Sequence, residues 1–226
     1  MMKRVRINAG KVGLVFKKGD YQKVIAQGTH WVGLRTKVMV YDLTKAFVAP
    51  IALEILLRDQ GLEAMLHVIE VKDAELVLVS ENGNLKQVLT AGKYAFWKGL
   101  IDYGFVKADL SKNYITEDIS KAMLGHPQLR TYVRTLEVAA YEKAVLLVDD
   151  VYIKILESGT YYFWKNDITI KIARADMRQL QLEISGQELL TKDKAAIRIN
   201  FYTQYKVVDI EKALLDNKDY EKQLYI

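Results

Sequence analysis

Three stretches of the chain share one order of apolar and polar positions. Residues 11–31, 75–97 and 142–164 each read as an apolar run, a polar turn, a second run, and a glycine followed by aromatics. With Gly28, Gly92 and Gly159 as anchors, Val15, Val79 and Leu146 stand thirteen residues earlier. Val24, Val88 and Ile155 stand four earlier. Short apolar runs bounded by turn formers predict strands. Gly19-Asp20, Asn82-Gly83 and Asp149-Asp150 predict tight hairpin turns, because these residue types tolerate positive φ.

The likeness continues past the hairpins. Each leads to an aspartate set between apolar residues: Tyr41-Asp42-Leu43, Ala108-Asp109-Leu110 and Ala175-Asp176-Met177. Asp42 to Glu70 and Asp109 to Glu137 both span 28 residues, and Val71 or Val138 follows each glutamate. Between these points the pattern predicts a short helix and a returning strand. Pro50 suits a first helical turn, and the apolar Ile51, Leu53, Ile55, Leu56 and Leu57 follow before Gly61 closes the segment. In the second linker Thr116 is a candidate N-cap, with Glu117 and Asp118 in the first turn and Gly125-His126-Pro127 at the end. Residues 62–71 and 129–138 read as strands. One unit of about 65 residues is thus present twice, and a third copy keeps the hairpin and then departs. Read as a duplication, this gives repeat 1 at 1–72, repeat 2 at 73–139 and a C-terminal domain at 140–226. The expected fold class is α+β.

The C-terminal part carries a further pattern. Its positions are Asp176 and Arg178, then Gln187-Glu188-Leu189-Leu190-Thr191-Lys192-Asp193, then the alternating Ala195, Ile197, Ile199 and Phe201. Tyr205, Val207 and Asp209 follow at spacings of two, and Lys212-Ala213 opens a helix. Upstream, Leu156-Glu157-Ser158-Gly159-Thr160-Tyr161-Tyr162-Phe163 forms an early hairpin. In this order and spacing, residues 140–226 resemble the band-7 family, also called the SPFH domain, and are most like its slipin (stomatin-like) branch. Ser158 stands where members usually carry proline. The two earlier copies lie outside the minimal family domain, and their hairpins look somewhat like those of the major vault protein.

The resemblance implies a non-catalytic, self-assembling scaffold that organises membrane patches or partner proteins. It also implies a long helical region after Asp219-Tyr220-Glu221 that drives oligomerisation. The sequence ends at Ile226 with no Gly or Pro after Lys222, so a truncated chain that builds no large assembly by itself is expected. Stomatin-type members carry an N-terminal membrane hairpin or span, which this sequence lacks.

Composition excludes several classes. Half of the 226 residues are hydrophobic and 27% are charged, so the chain is globular and not disordered. The absence of cysteine excludes a disulfide scaffold, a thiolate metal site and a cysteine nucleophile, and fits a reducing compartment. No apolar run approaches the ~20 residues that span a bilayer, and charges occupy the place of a signal-peptide core. A cytoplasmic chain, at most peripheral on a membrane, is expected.

Charge is unevenly spread. Residues 1–45 hold ten Lys and Arg against Asp20 and Asp42, a net of +8; the remainder holds 23 against 26, a net of −3. A solvated basic face explains this. Contact with an anionic surface is the functional alternative, and Lys3, Arg4, Arg6, Lys17 and Lys18 are its candidate residues.

No catalytic, cofactor or metal residues are assigned. His30, His67 and His126 share no ligand spacing, and His30 aligns with Tyr94 and Tyr161 as a packing residue. No P-loop, G-x-G-x-x-G, G-x-S-x-G or H-E-x-x-H occurs. Asp149-Asp150 reads as a hairpin turn before a cation site. The aromatics Trp31, Tyr94, Phe96, Trp97, Tyr161, Tyr162, Phe163 and Trp164 are expected in the core, ahead of a role in nucleic-acid stacking. The resemblance implies further copies of the full-length chain and a protein such as a membrane protease as partners, the charge asymmetry adds an anionic membrane surface, and no small-molecule substrate is expected. An adaptor for a protein partner and a basic nucleic-acid-binding module are the alternative functions.

Overall fold

The structure, a computed structural model, describes residues 2–116 and 118–224. Glu117, placed in a helical first turn from the sequence, and Tyr225 and Ile226, in the segment without a stop signal, lie outside the described residues, as does Met1.

Five strands open the chain: β1 (Met2–Ile7), β2 (Lys11–Lys17), β3 (Asp20–Ile25), β4 (Gly28–Gly33) and β5 (Thr36–Asp42). β1 and β4 form an antiparallel two-stranded ribbon, and β2 lies between β3 and β5 in an antiparallel three-stranded sheet. The same pairing recurs in β6 (Leu66–Val71), β7 (Glu75–Glu81), β8 (Asn84–Leu89), β9 (Gly92–Trp97) and β10 (Tyr103–Asp109). It recurs again in β11 (Val133–Val138), β12 (Glu142–Val148), β13 (Val151–Leu156), β14 (Gly159–Trp164) and β15 (Ile170–Asp176). A long hairpin of β16 (Leu180–Leu190) and β17 (Ala196–Tyr205) follows.

Val15, Val79 and Leu146 each occupy the fifth position of a central strand, and in each hairpin a bulge falls directly after that residue. The strands expected at 62–71 and 129–138 begin later, at Leu66 and Val133, because Leu62 and Leu129 still belong to helical turns. These strands pair with β9 and β14, which follow them in sequence. The third group also keeps its fifth strand, so its pairing matches the other two through Asp176.

The hairpin turns carry positive φ at both central residues: Lys18-Gly19, Asn82-Gly83 and Asp149-Asp150. The first turn is thus one residue earlier than Gly19-Asp20, because Asp20 already pairs with Lys17 in the ladder. At each anchor glycine φ lies between +133° and +151°, which an L side chain adopts only under strain. Two residues on, a ring folds back and meets the carbonyl four residues before it. His30 Nε2 lies 2.8 Å from Ala26 O, Tyr94 donates to Thr90 O at 3.1 Å, and Tyr161 donates to Glu157 O at 2.9 Å.

The fold is more β-rich than the expected α+β class. The first linker holds two single turns, α1 (Leu53–Leu56) and α2 (Gln60–Ala64), and the second holds α3 (Lys121–Leu124) and α4 (Pro127–Arg130). A helix this short gains few hydrogen bonds for the cost of its nucleus, so packing must hold it. Pro50 precedes α1 rather than starting it, Ser120 rather than Thr116 caps α3, and Gly61 sits inside α2. Near the C-terminus the expected helix is a π-helical turn at Lys212–Asp216 and α5 (Tyr220–Gln223), separated at Asn217 by extended backbone.

The chain divides into two compact units. One holds the chain up to Ser111 together with Thr116–Arg130; the other holds Lys112–Ile115 and the chain from Thr131 onward. In the first unit Ile7, Val15 and Ile25 close the small sandwich between ribbon and sheet, and Val71, Val79, Leu89 and Phe96 do the same in the second strand group. Gly13 is needed here because a Cβ would come within 2.9 Å of Ile25 and Val38 and 3.0 Å of Ile7. The outer face of β2, with Val12, Leu14 and Phe16, packs on Leu56 and Leu62 of the linker and on Leu66 and Trp97. In the second unit Val138, Leu146, Leu156 and Phe163 form the sandwich. There Val145 and Ala175 pack instead on Val207 and Ile210.

Asp59 ties the first linker to the sheet. Its carboxylate accepts from the Tyr21 hydroxyl at 2.7 Å, the Val24 N–H at 2.8 Å and the Gly61 N–H at 2.9 Å, capping α2. Burial pushes the Asp59 carboxyl up, but the hydrogen bonds from Tyr21, Val24, Gly61 and Leu62 outweigh it and hold it below the ordinary aspartate range. Burial, with the Asp59 bond, pushes the Tyr21 hydroxyl up. Asp59→Ala is expected to lower stability by about 1–2 kcal/mol, read as a urea midpoint. A depressed folded pKa gives stability that is full above the ordinary aspartate range and lost as pH falls through the folded value. Between neutral and acid pH the wild type should therefore lose more of its midpoint than Asp59→Asn; equal losses would remove this tie. Gly13→Ala should cost about 1–3 kcal/mol by overpacking, and an unchanged thermal midpoint would contradict the geometry.

Candidate functional site

The residues named from charge do not form one cluster. Along β1, Lys3, Val5 and Ile7 face one way and Met2, Arg4 and Arg6 the other, as strand alternation requires. Val5 and Ile7 line the sandwich core. Lys3 shares their side, and its ammonium donates to Thr36 O at 2.8 Å. Arg4 and Arg6 are exposed on the outer face of the ribbon. Lys17 and Lys18 stand at the exposed β2–β3 turn, with Lys18 held at φ +57°.

A residue outside that charge-based set joins Arg4 and Arg6. Arg4 is paired in register with Trp31, and Arg6 with Thr29. Trp31 is 62% exposed, whereas Trp97 is 1% and Trp164 0% exposed. The expectation that all these aromatics lie in the core therefore fails at Trp31. The ladder gives the reason. Trp31 stands three residues after its anchor glycine and Trp97 five after its own, so both face outward from their ribbons. The β6–β9 ribbon has β2 packed on its outer face, while the β1–β4 ribbon carries exposed Met2, Arg4, Arg6 and Trp31 there. The offsets of three and five residues show that the two tryptophans are not equivalent positions, but both have the same parity, so the sequence signals the shared face and not which ribbon is covered.

Other candidates resolve into structural roles. Asp149 accepts from the Thr169 N–H at 2.8 Å, and Asp150 pairs with Lys171 at 2.7 Å. Among the described residues no group of three or more His, Asp or Glu is placed to hold a metal ion. Asp42 and Asp109 each cap the turn after their sheet, through the N–H and hydroxyl of Thr44 and Ser111. At Asp176 the Arg178 N–H and guanidinium replace that pair, and Arg178 also stacks over the Tyr141 ring at 3.8 Å. Hydrogen bonding from Arg178 holds the Asp176 carboxyl below its usual range. A groove of about 360 Å³ lies beside Phe47, Val48, Leu53, Tyr94 and Phe96, with Lys93 as its one charged lining residue.

Within 180–205 the hairpin is amphipathic. Leu180, Leu182, Ile184 and Leu189 share one face with Ile197, Ile199, Phe201 and Tyr205 through the ladder. Glu183, Glu188 and Arg198 lie on the other. The motif Thr191-Lys192-Asp193 makes its tip: the Thr191 hydroxyl donates to Ala195 O at 3.1 Å and accepts from the Ala195 N–H at 3.0 Å. Leu189, Ile197 and Phe201 on the apolar face are exposed. Among the described residues no helix is long and apolar enough to cross a membrane.

One stability test follows at the basic turn. Lys18 occupies a left-handed position that Asn82 and Asp149 fill in the equivalent turns. Lys18→Asn is expected to raise stability by about 0.5 kcal/mol, since Asn tolerates αL better; a fall in the thermal midpoint would contradict this.

The comparisons with known proteins bear on the C-terminal part. Residues 136–225 match the model of the SPFH domain / Band 7 family. An uncharacterized protein of Methanocaldococcus jannaschii is 40% identical over 55 residues, which are 24% of this chain and 26% of that protein. The chain thus spans about a quarter of the length of the curated relative it matches. No solved structure was found to match. From the second half of β11 through α5, this chain is similar to the SPFH domain of the Band 7 family.

Proposed function

We propose that this chain is a non-catalytic scaffold of the stomatin/slipin type, whose C-terminal module associates with copies of itself and so organises a membrane patch or partner proteins. The tandem strand groups at its N-terminus are read as duplicated spacer units. The match of residues 136–225 to the SPFH / Band 7 model supports a scaffold role.

The observation that carries self-association is the apolar face of the β16–β17 hairpin. A two-stranded ribbon is at best marginally stable alone and needs a covered face. This one leaves Phe201 49% exposed, with Leu189 and Ile197 exposed beside it. One side is apolar apart from the uncharged Gln187 and Thr203, and the other carries Glu183, Glu188 and Arg198, so a second apolar face can dock there without burying charge. The second copy supplies such a face by symmetry.

Sedimentation velocity over a range of concentrations tests this. Reversible dimers or small oligomers are expected. Leu189→Glu with Phe201→Glu should weaken association ~10-fold or more, as loss of central apolar contacts does, while circular dichroism shows the fold retained. A chain monomeric at every concentration, or one whose association ignores both substitutions, would refute the reading.

A further inference from the structure

We infer that the outer face of the β1–β4 ribbon is a lipid-docking surface, in which Arg4 and Arg6 bind anionic phosphate headgroups and Trp31 sits at the membrane interface. This rests on the scaffold reading in one respect: it names the surface being organised. The face has three properties that fit a headgroup layer and fit other occupants poorly.

The first is that, among the described residues, it is uncovered where its counterpart is covered. In register, Met2, Arg4 and Trp31 take the places of Leu66, Val68 and Ala95 on the β6–β9 ribbon. There Leu66 is buried, with Val68 and Ala95 packed beside it against the outer face of β2. On β1–β4 the equivalent side chains are solvent-facing, Met2 at 63% and Trp31 at 62% exposure.

The second is the change of chemistry at those places. An apolar valine has become Arg4, and Glu70 has become Arg6. A second copy of the chain, docking as β2 docks on β6–β9, would have to bury Arg4 against Val12, Leu14 and Phe16, the residues that cover the counterpart face. An unpaired buried guanidinium is costly. An anionic headgroup layer pairs it instead, and guanidinium forks match phosphate oxygens.

The third is the indole between the arginines and the ribbon edge. Tryptophan favours the headgroup level of a bilayer, where one part of the ring is apolar and its N–H stays wet. Arg4 lies directly across the ladder from Trp31, so charge and anchor share one small patch. Lys3 is excluded from it, facing the core side and bonded to Thr36 O.

The molecule carries its own reporter. Trp97 and Trp164 are buried, so a change in tryptophan emission on adding vesicles reports on Trp31. The probe is the whole chain with phosphatidylcholine vesicles, with or without phosphatidylserine. A blue shift on the phosphatidylserine vesicles is expected, quenched by brominated acyl chains and reversed by salt. The double variant Arg4→Gln, Arg6→Gln should lower the partition coefficient ~30-fold, about fivefold for each arginine. Trp31→Ala should lower it severalfold in co-sedimentation, and Lys3→Gln should leave it nearly unchanged. An unshifted spectrum on phosphatidylserine vesicles, equal binding to neutral vesicles, or full binding by the double arginine variant would overturn the inference. So would a blue shift that grows with protein concentration and needs no vesicles, because it would make the face an interface between copies. Self-association of the Leu189 and Phe201 variant is read separately by sedimentation, so the scaffold reading and the lipid surface can fail independently.

Discussion

Each of the three central strands is buried on both sides, and the architecture depends on meeting that demand twice. Antiparallel strands usually alternate apolar and polar positions. β2 instead reads Val12, Gly13, Leu14, Val15 and Phe16, all buried, and β7 reads Leu76, Val77, Leu78 and Val79. A three-stranded sheet with two apolar faces cannot stand alone. The first face is closed locally by the ribbon of the same strand group. The second must be closed by what comes next in the chain. For β2 this is the linker and the β6–β9 ribbon, and for β12 it is Val207, Ile210 and the segment around them. The order of elements along the chain is thereby tied to packing, since each of these sheets recruits a segment that follows it.

That dependence explains why the linkers are folded at all. α1 and α2 are single turns that would not persist in water. They hold because Leu56 and Leu62 fill the outer face of β2, and because Asp59 joins α2 to β3 through Tyr21 and Val24. A polar tie at the rim and an apolar plug at the centre do different work. Burial supplies the free energy, while the hydrogen bonds at Asp59 fix where the turn sits. In the second unit Tyr152 with Glu211 and Tyr205 with Glu221 make comparable rim ties to the C-terminal segment. Burial and the Glu221 bond push the Tyr205 hydroxyl up to about 12, so that bond persists across ordinary pH.

Much of this is legible in the amino-acid sequence. The anchor glycines, the turn types and the spacing from Asp42 to Glu70 mark the strands and their order. What is not legible is partnership. A strand such as 66–71 reads the same whether it closes the group before it or opens the group after it; only the ladder to β9 decides. The first linker reads as one helix because Ile51, Leu53, Ile55, Leu56 and Leu57 are apolar, yet Ile51, Leu56 and Leu57 pack against a sheet face. Helix period and plug composition cannot be told apart over so few residues. The charge count found a basic N-terminus, but strand parity separates Lys3 from Arg4 and Arg6, and parity follows from which side of β1 meets Val15 and Ile25.

The same logic identifies two places where the packing scheme runs out. At the N-terminal end, no sheet among the described residues covers the outer face of the β1–β4 ribbon, and that face has exchanged aliphatic residues for Arg4 and Trp31. At the other end, the β16–β17 hairpin presents Leu189, Ile197 and Phe201 to solvent without such an exchange. The difference in chemistry is informative. A face that has lost its apolar partner permanently gains charge, because exposed aliphatic surface is a liability. A face that keeps its aliphatic side chains is built to be covered. That contrast is the physical basis on which the two proposals assign the first face to an anionic headgroup layer and the second to another copy of the chain.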